Sequence, residues 1–192
     1  MPTGVAMRDA REQLFDAAER VLLRDGPAAL TSRAVTTEAD CAKGVLHRHF
    51  ADFDAFLAEL VLDRIRRLDA QGAVLRESVG QGSVVDNLTD MLTDLFSSVA
   101  VAVVSLTISR DGLRARLREA VPTGVPILTD AGHLVIDYLS AERDHGRIPA
   151  GTDIGTLALT LIGTTHMLFA DRTGHQPSPA EVRKVVDSVV PS

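Results

Sequence analysis

The sequence predicts an all-α protein, and three observations support that prediction. Hydrophobic residues make up 45% of the 192 residues but aromatics only 4%, with no Trp, so the core must consist mainly of Leu, Val, Ala and Ile. Most of the chain repeats its apolar residues at steps of three and four, which is the period of an amphipathic helix. The one β-branched stretch, residues 101–109, has no second strand candidate to pair with, so it is also interpreted as helix.

Three helices are predicted in the first quarter of the chain, over residues 8–24, 32–39 and 43–49. The first ends at Gly26, which accepts the left-handed backbone of a helix C-terminus, and Pro27 follows it. Thr31 is a suitable N-cap for the second helix, because its hydroxyl can accept a free backbone N–H. Residues 40–42 form a tight connection, so two short helices follow each other across a turn.

The rest of the chain is predicted to form a larger helical region. Asp52 caps a helix whose apolar stripe continues to Leu68, and the glycine-punctuated residues 72–82 form its end and a loop. Residues 110–119 are interpreted as an arginine-rich turn or short helix. Further helices are predicted over residues 84–99, 101–109, 127–143, 153–172 and 180–190. The predicted domains are an N-terminal three-helix domain of residues 1–52 and a larger helical domain of residues 53–192.

Charge, cysteine content and motifs exclude several classes of protein. A net charge of −6 argues against coating nucleic acid through bulk positive charge, but leaves room for a local basic patch. Cys41 is the only cysteine, so there is neither an intrachain disulfide nor a Cys-x-x-Cys metal site. The sequence also lacks the motifs of nucleophile-elbow hydrolases, P-loop and dinucleotide-binding proteins and zinc proteases. We therefore predict a protein that is not an enzyme and needs no cofactor or metal.

No stretch of the sequence predicts a membrane partner. The first thirteen residues contain no apolar signal core. Residues 99–104 are apolar but far shorter than the roughly 20 residues that cross a bilayer. Residues 154–170 are uncharged but are interrupted by threonines and His166. We therefore expect a soluble, cytoplasmic protein.

Among the first three helices, two short helices follow each other across a tight turn, and the helix after the turn carries basic residues. This is a helix-turn-helix pattern. A plain solvated helix face is the alternative interpretation of these residues. Residues 8–50 contain seven lysines and arginines and seven aspartates and glutamates, so their formal charges cancel. Positive charge must therefore gather on one face if this region binds DNA. The candidate DNA-binding residues are Thr31, Ser32, Arg33, Ala42, Lys43, Val45, His47, Arg48 and His49. Leu46 and Phe50 are expected to anchor the recognition helix on its own domain.

The stretch TSRAVTTEADCAKGVLHRHFADFDAFLAELV resembles the DNA-binding segment of the tetracycline-repressor-like (TetR family) transcriptional regulators. The residues that match the family pattern in register are Thr31, Val35, Ala39, Gly44, Leu46, His49 and Phe50. The residues that depart from it are Asp40 for Gly, Cys41 for Val, Ala42 for the Ser that caps the recognition helix, Val45 for Thr, His47 for Tyr and Phe53 for Lys. The left-handed turn position is thus predicted at Asp40, a residue type that tolerates it better than most.

The resemblance implies a ligand-responsive regulator, acting as a repressor, whose homodimer binds a palindromic operator in double-stranded DNA. It implies a homodimer through the last two helices, where small residues of the 153–172 helix allow close approach. The residues expected to supply apolar area there are Leu157, Leu161, Leu168, Val182, Val185 and Val189. The alternative is a helical small-molecule-binding protein that has lost specific DNA binding. A small helical enzyme is a further alternative, for which the sequence offers no site.

The resemblance also implies a small-molecule effector bound among the helices of the larger, ligand-binding and dimerisation domain. An apolar or aromatic compound is expected, because such pockets are mostly apolar with few polar groups. The candidate ligand-binding residues are Met91, Leu95, Phe96, Val103, Leu106, Leu134, Tyr138, Thr165, His166 and Phe169.

Two further clusters are given structural interpretations. His47 and His49 are not expected to bind a metal together, because side chains two residues apart point to different sides of a helix. The densest basic cluster consists of Arg110, Arg114, Arg116 and Arg118. It is predicted to be a solvated helix face paired with Asp111 and Glu119, with an anionic ligand or acidic partner as the alternative.

Overall fold

The computed structural model describes residues 4–170 and 176–191, and every regular element within those ranges is helical. The all-α prediction is therefore confirmed. The helices are α1 (Gly4–Asp25), α2 (Ser32–Glu38), α3 (Gly44–His49), α4 (Phe53–Glu77), α5 (Val84–Ser97), α6 (Ala100–Ser109), α7 (Asp111–Ala120), α8 (Leu128–Asp144), α9 (Ile154–Ala170) and α10 (Pro179–Val189), with a 3-10 turn at Pro27–Ala29. The glycine-punctuated residues 72–82 contain the end of α4 at Glu77 and a loop after it, as predicted. Residues 171–172 of the predicted 153–172 helix lie outside the described residues.

Local chemistry accounts for the ends of the first helices. Gly26 follows α1 with a φ of 81°, a conformation that a residue without a Cβ adopts easily. The Thr31 hydroxyl caps α2 by accepting the backbone N–H of Ala34 at 3.1 Å. Asp52 caps α4 by accepting the N–H of Ala55 at 2.8 Å. These three predicted boundary signals are confirmed.

The described residues form two compact units, of which the first falls within Met1–Asp63 and Ala102–Thr123 and the second within Arg64–Val101 and Gly124–Ser192. The start of α4 and the segment carrying α7 thus cluster with the N-terminal helices. The division into domains of residues 1–52 and 53–192 stays a prediction, and α4 contributes residues to both compact units.

An aromatic cluster forms the centre of the first unit. The ring of Phe15 on α1 lies 5.9 Å from that of Phe50 and 5.7 Å from that of Phe56 on α4. The Phe50 and Phe56 rings meet edge to face at 5.0 Å, a geometry that favours aromatic pairs. Leu46 on α3 is completely buried in the same unit. These contacts confirm that Leu46 and Phe50 anchor α3 to its own unit.

In the second unit, α9 packs against α5, α8 and α10, and α10 also packs against α5. The apolar stripe of α5 faces inward, with Leu88 and Leu92 completely buried. Leu161 of α9 and Val186 of α10 are buried as well. This unit provides the helical frame for the cavities described below.

Among the described residues, no single helix is long and apolar enough to cross a membrane. Within the described part of the chain, α5 and α6 taken together reach that length and apolarity, but a bend separates them.

Candidate nucleic-acid interface

A Schellman motif connects α2 to α3. The N–H of Cys41 donates to the carbonyl of Thr36 at 3.0 Å, and that of Asp40 donates to the carbonyl of Thr37 at 3.1 Å. Asp40 itself has a φ of 48°, the left-handed conformation that glycine usually provides at this point. The predicted left-handed turn position is therefore confirmed at Asp40.

The α3 helix lies on its unit through one buried face and leaves the other face open. No side-chain hydrogen bond caps its start, because Ala42 and Lys43 provide no acceptor there. A Cβ added to Gly44 would meet nothing within 4 Å, so the backbone at the start of α3 can be approached closely. This arrangement suits a helix that enters the major groove of DNA.

The structure brings the nine candidate DNA-binding residues together on α2 and α3 of the first unit. Those that are exposed are Thr31, Arg33, Ala42, Lys43, His47 and Arg48, and those that are half-buried are Ser32, Val45 and His49. The Thr31 hydroxyl already accepts one hydrogen bond as the cap of α2. His49 is partly covered by Phe50, with ring centroids 6.4 Å apart.

Two arginines of α1 neutralise the carboxylate of Glu38 at the end of α2. Arg20 donates to Glu38 at 2.7 Å and Arg24 donates to it at 2.8 Å. The hydrogen bond from Arg20 is the largest cause, and that from Arg24 the next, that holds the pKa of Glu38 below its ordinary value. The carboxylate therefore stays ionised and paired beside the helix-turn-helix.

Cys41 is half-buried in the turn between α2 and α3. Burial, followed by the negative charge of Asp40, raises the pKa of its thiol. A raised pKa keeps the thiol protonated and less reactive, which favours a packing role over redox sensing. Among the described residues, no group of three or more His, Cys, Asp or Glu side chains could hold a metal ion.

The second unit contains a cavity of about 190 Å³ between α4 and α5. Its lining includes Met91 and Leu95, two of the candidate ligand-binding residues. The other lining residues are Leu68, Gln71, Val74, Leu75, Ser78, Asn87, Asp90 and Asp94. The walls are thus mainly apolar, with amide and carboxylate groups at a few points.

Tyr138 on α8 reaches this cavity through Asn87, whose side-chain amide donates to the Tyr138 hydroxyl at 2.9 Å. Burial raises the pKa of Tyr138 to about 12, so its hydroxyl is protonated at neutral pH. The buried carboxylate of Glu142 accepts the N–H of Gly80 at 3.3 Å and lies 3.2 Å from Arg147. Sequence reasoning missed Asn87, because no local pattern links it to a tyrosine 51 residues away.

A second group of candidate ligand residues lies where α5 meets α9. The Phe96 ring lies 5.8 Å from the ring of His166 and 6.1 Å from that of Phe169. Thr165 is completely buried, and neither its Oγ1 nor the Nδ1 of His166 has a hydrogen-bond partner among the described residues. Burial lowers the pKa of His166.

The ten candidate ligand-binding residues do not form one cluster. Val103 and Leu106 are buried in the first unit, whereas the other eight belong to the second. Leu134 packs against α4 at Gly72, where an added Cβ would lie 2.6 Å from a Leu134 methyl group.

The α9–α10 face of the second unit carries an open groove of about 800 Å³. Two large apolar side chains on it are mostly exposed, Leu159 at 74% and Met167 at 75%. Leu168, Val185 and Val189 are half-buried, but Leu157, Leu161 and Val182 are buried. The prediction that these last three supply apolar area to a partner was wrong, because they form the core of their own unit.

The fold and the candidate interface of α2 and α3 define an all-α helix-turn-helix protein with a second helical unit. Residues 14–60 match the family model described as bacterial regulatory proteins, tetR family. The resemblance to the TetR family is therefore confirmed. No curated protein sequence matches the chain.

Solved structures share the fold of this chain at low sequence identity, and one of them is described as a TetR-family regulator. A protein described as a TetR-family transcriptional regulator from Mesorhizobium loti has a TM-score of 0.72 at 17% identity, covering 98% of this chain and 95% of that chain. The transcriptional regulator FadR from Bacillus subtilis, in complex with stearoyl-CoA, has a TM-score of 0.69 at 17% identity, covering 93% and 97%. The reduced form of NemR from E. coli has a TM-score of 0.71 at 15% identity, covering 95% and 97%.

Proposed function

We propose that this chain is a ligand-responsive transcriptional repressor of the cytoplasm, which binds a palindromic operator as a homodimer and is released by a small apolar or aromatic molecule. The observation that carries the proposal is the exposed basic face of α3, held in place by buried Leu46 and Phe50 within a TetR-family segment. No catalytic activity forms part of the proposal.

DNA binding is assigned to α2 and α3. Insertion of α3 into the major groove would bring Lys43 and Arg48 to phosphates and Val45 to base edges. Thr31, Ser32 and Arg33 at the start of α2 would contact the backbone beside the groove, where the helix N-terminus also favours a phosphate.

The first test is fluorescence anisotropy with DNA from upstream of the gene, a scrambled duplex and a series of salt concentrations. Lys43→Ala is expected to weaken operator binding and to lower the slope of log affinity against log salt by about 1, because one phosphate contact is lost. Lys184→Ala, which removes an exposed lysine of α10, is the matched control and should leave the slope unchanged. An unchanged slope for Lys43→Ala would remove Lys43 from the interface.

The homodimer is proposed to form through α9 and α10. Leu159 and Met167 provide exposed apolar area, and Gly163 between them permits a close helix approach. Repetition of this face around a two-fold axis would build a four-helix interface and present two α3 helices. Such a dimer binds a palindrome because half-sites about one helical turn apart then meet identical helices.

The effector is proposed to enter the α4–α5 cavity, against Met91 and Leu95. The Asn87 amide would orient the effector, and the Tyr138 hydroxyl, which accepts a hydrogen bond from that amide, would hold the amide in place. None of the described lining residues is basic, whereas Asp90 and Asp94 are acidic. A neutral effector suits this lining better than an anionic thioester such as the stearoyl-CoA bound by FadR.

Release of DNA follows if the effector prefers a conformation in which the two α3 helices no longer match successive major grooves. A coupling free energy of about 1–3 kcal/mol is typical of such systems. The α4 helix is the proposed lever, since it begins directly after α3 and its second half lines the cavity.

A second candidate function is a helical ligand-binding protein without specific DNA binding. It is favoured by the uncapped start of α3 and by Phe53, which stands where the family pattern has a lysine. The anisotropy experiment separates the two functions. Equal, weak and salt-sensitive binding to operator and scrambled DNA would support this second function.

A further inference from the structure

The stretch directly after α3 is acidic, which creates a difficulty for DNA binding. Residues 51–63 contain four carboxylates and no lysine or arginine. Asp52 and Asp54 are the nearest of them to α3, and both are partly exposed at the start of α4. A phosphate that approaches α3 from this side would be repelled unless these two charges are neutralised.

Arginines of the α7 segment neutralise both aspartates within the first unit. Arg110 donates to Asp54 at 2.9 Å, and its guanidinium lies 5.5 Å from the centre of the Phe53 ring. Arg116 forms an ion pair with Asp52. Arg114 pairs with Asp111, one of the two acids expected to pair with the cluster. The arginine-rich helix therefore pairs mainly with the start of α4 rather than only with its own acids.

The geometry orients these guanidiniums without using all of their donors. Asp52 uses one carboxylate oxygen to cap α4 through Ala55 and the other to hold Arg116. Each guanidinium has five N–H donors, and a single pairing leaves most of them free. The side chains of Arg110 and Arg116 remain 36% and 45% exposed.

The close approach of α7 to α4 depends on Gly112. A Cβ at Gly112 would lie only 2.5 Å from Asp54 Oδ2, so a glycine lets the start of α7 lie against this carboxylate. Arg114 differs from its neighbours, because it is held by Asp111 and by the carbonyl of Ile108 at 2.9 Å.

We propose that Arg110 and Arg116 are additional DNA-phosphate-binding residues, oriented toward the backbone beside α3 by Asp54 and Asp52. This inference rests on the proposed function, because it extends the DNA interface from α2 and α3 to α7. The ligand chemistry is a phosphodiester oxygen, which accepts the guanidinium N–H groups that the aspartates leave free.

The test measures operator affinity across a salt series for Arg110→Gln, Arg116→Gln and the control Arg118→Gln. Arg118 is an exposed arginine of the same helix, so its variant controls for the loss of one positive charge from α7. We expect the first two variants to bind on the order of 3- to 10-fold more weakly and to lower the salt slope by about 1 each. The control should keep the wild-type slope.

A second variant distinguishes phosphate binding from simple neutralisation of Asp52. Asp52→Asn keeps a side chain that can cap α4, so the helix should still form. If Arg116 only neutralised Asp52, the double variant Asp52→Asn/Arg116→Gln would recover the wild-type slope. We expect instead that the double variant keeps the reduced slope of Arg116→Gln.

Three outcomes would overturn the inference, and they are distinguishable. Wild-type slopes for Arg110→Gln and Arg116→Gln, or a recovered slope in the double variant, would overturn it while leaving operator binding intact. Failure of the wild-type protein to discriminate operator from scrambled DNA would overturn the proposed function and this inference together.

Discussion

Thr165 places a hydroxyl in the core of the second unit without a hydrogen-bond partner among the described residues. Thr165→Val keeps the side-chain shape and removes the cost of burying that hydroxyl, so we expect it to raise the free energy of unfolding by about 1 kcal/mol. Urea denaturation measures this change. If an effector uses the hydroxyl, the same variant should bind that effector more weakly.

A matched control for this prediction is Thr89→Val on α5. Thr89 is also buried, but its hydroxyl donates to the carbonyl of Val85 at 2.7 Å. Its replacement should lower the free energy of unfolding or leave it unchanged. A stabilisation as large as that of Thr165→Val would show that the missing hydrogen bond is not the cause.

His166 makes the stability of the second unit dependent on pH. Burial lowers its pKa in the folded state below the ordinary value of 6.5, so the unfolded chain binds more protons between the two values. The contribution to the free energy of unfolding is therefore complete above pH 6.5 and is lost as the pH falls through the lower, folded-state pKa.

The measurement is the free energy of unfolding at several pH values for the wild type and His166→Gln. We expect the wild type to lose stability below pH 6.5 more steeply than the variant, because the variant has no group to protonate there. His133→Gln, at an exposed site on α8, is the control. Equal pH profiles for the wild type and His166→Gln would contradict the prediction.

The turn between α2 and α3 fixes how the two short helices follow each other, and Asp40 holds it in a left-handed conformation. Asp40→Gly should raise the free energy of unfolding by about 0.5 kcal/mol, because glycine adopts this backbone without steric cost but loses more chain entropy on folding. Asp40→Ala keeps a Cβ without the polar group and should be less stable than the wild type. A higher free energy of unfolding for Asp40→Ala than for Asp40→Gly, measured by chemical denaturation, would refute this account of the turn.

Much of this element-level structure was predictable, because it depends on residues close together in the sequence. The caps at Thr31 and Asp52 and the turn at Asp40 each act within about five residues. The end of α4 was predicted only to within residues 72–82, since a glycine weakens a helix by only about 1 kcal/mol. Packing overrides a cost of that size, because Gly72 of α4 lies against Leu134 of α8.

At the scale of the whole molecule, the exposed face of α9 predicts that the functional protein is a dimer. The variant Leu159→Glu/Met167→Glu places two charges at the centre of this face, so we expect a monomer with a lower melting temperature and much weaker operator binding. Light scattering after size-exclusion chromatography measures the mass.

The control is Leu23→Glu, which changes a leucine of α1 that is 58% exposed. This variant should keep the mass of the wild type. A wild-type protein that is monomeric at all concentrations, or a double variant that stays dimeric, would exclude the α9–α10 face as the interface.

Periodicity and capping signals predict the class of fold, the positions of most helices and the helix-turn-helix segment, because both depend on neighbours along the chain. Packing in the folded chain sets which side of the apolar α9 faces inward, since a helix without a polar face carries no such signal in its sequence. It also decided which distant side chains meet. Arg116 pairs with Asp52 across 64 residues, a contact that arises from the packing of α7 against α4 and that no local spacing encodes.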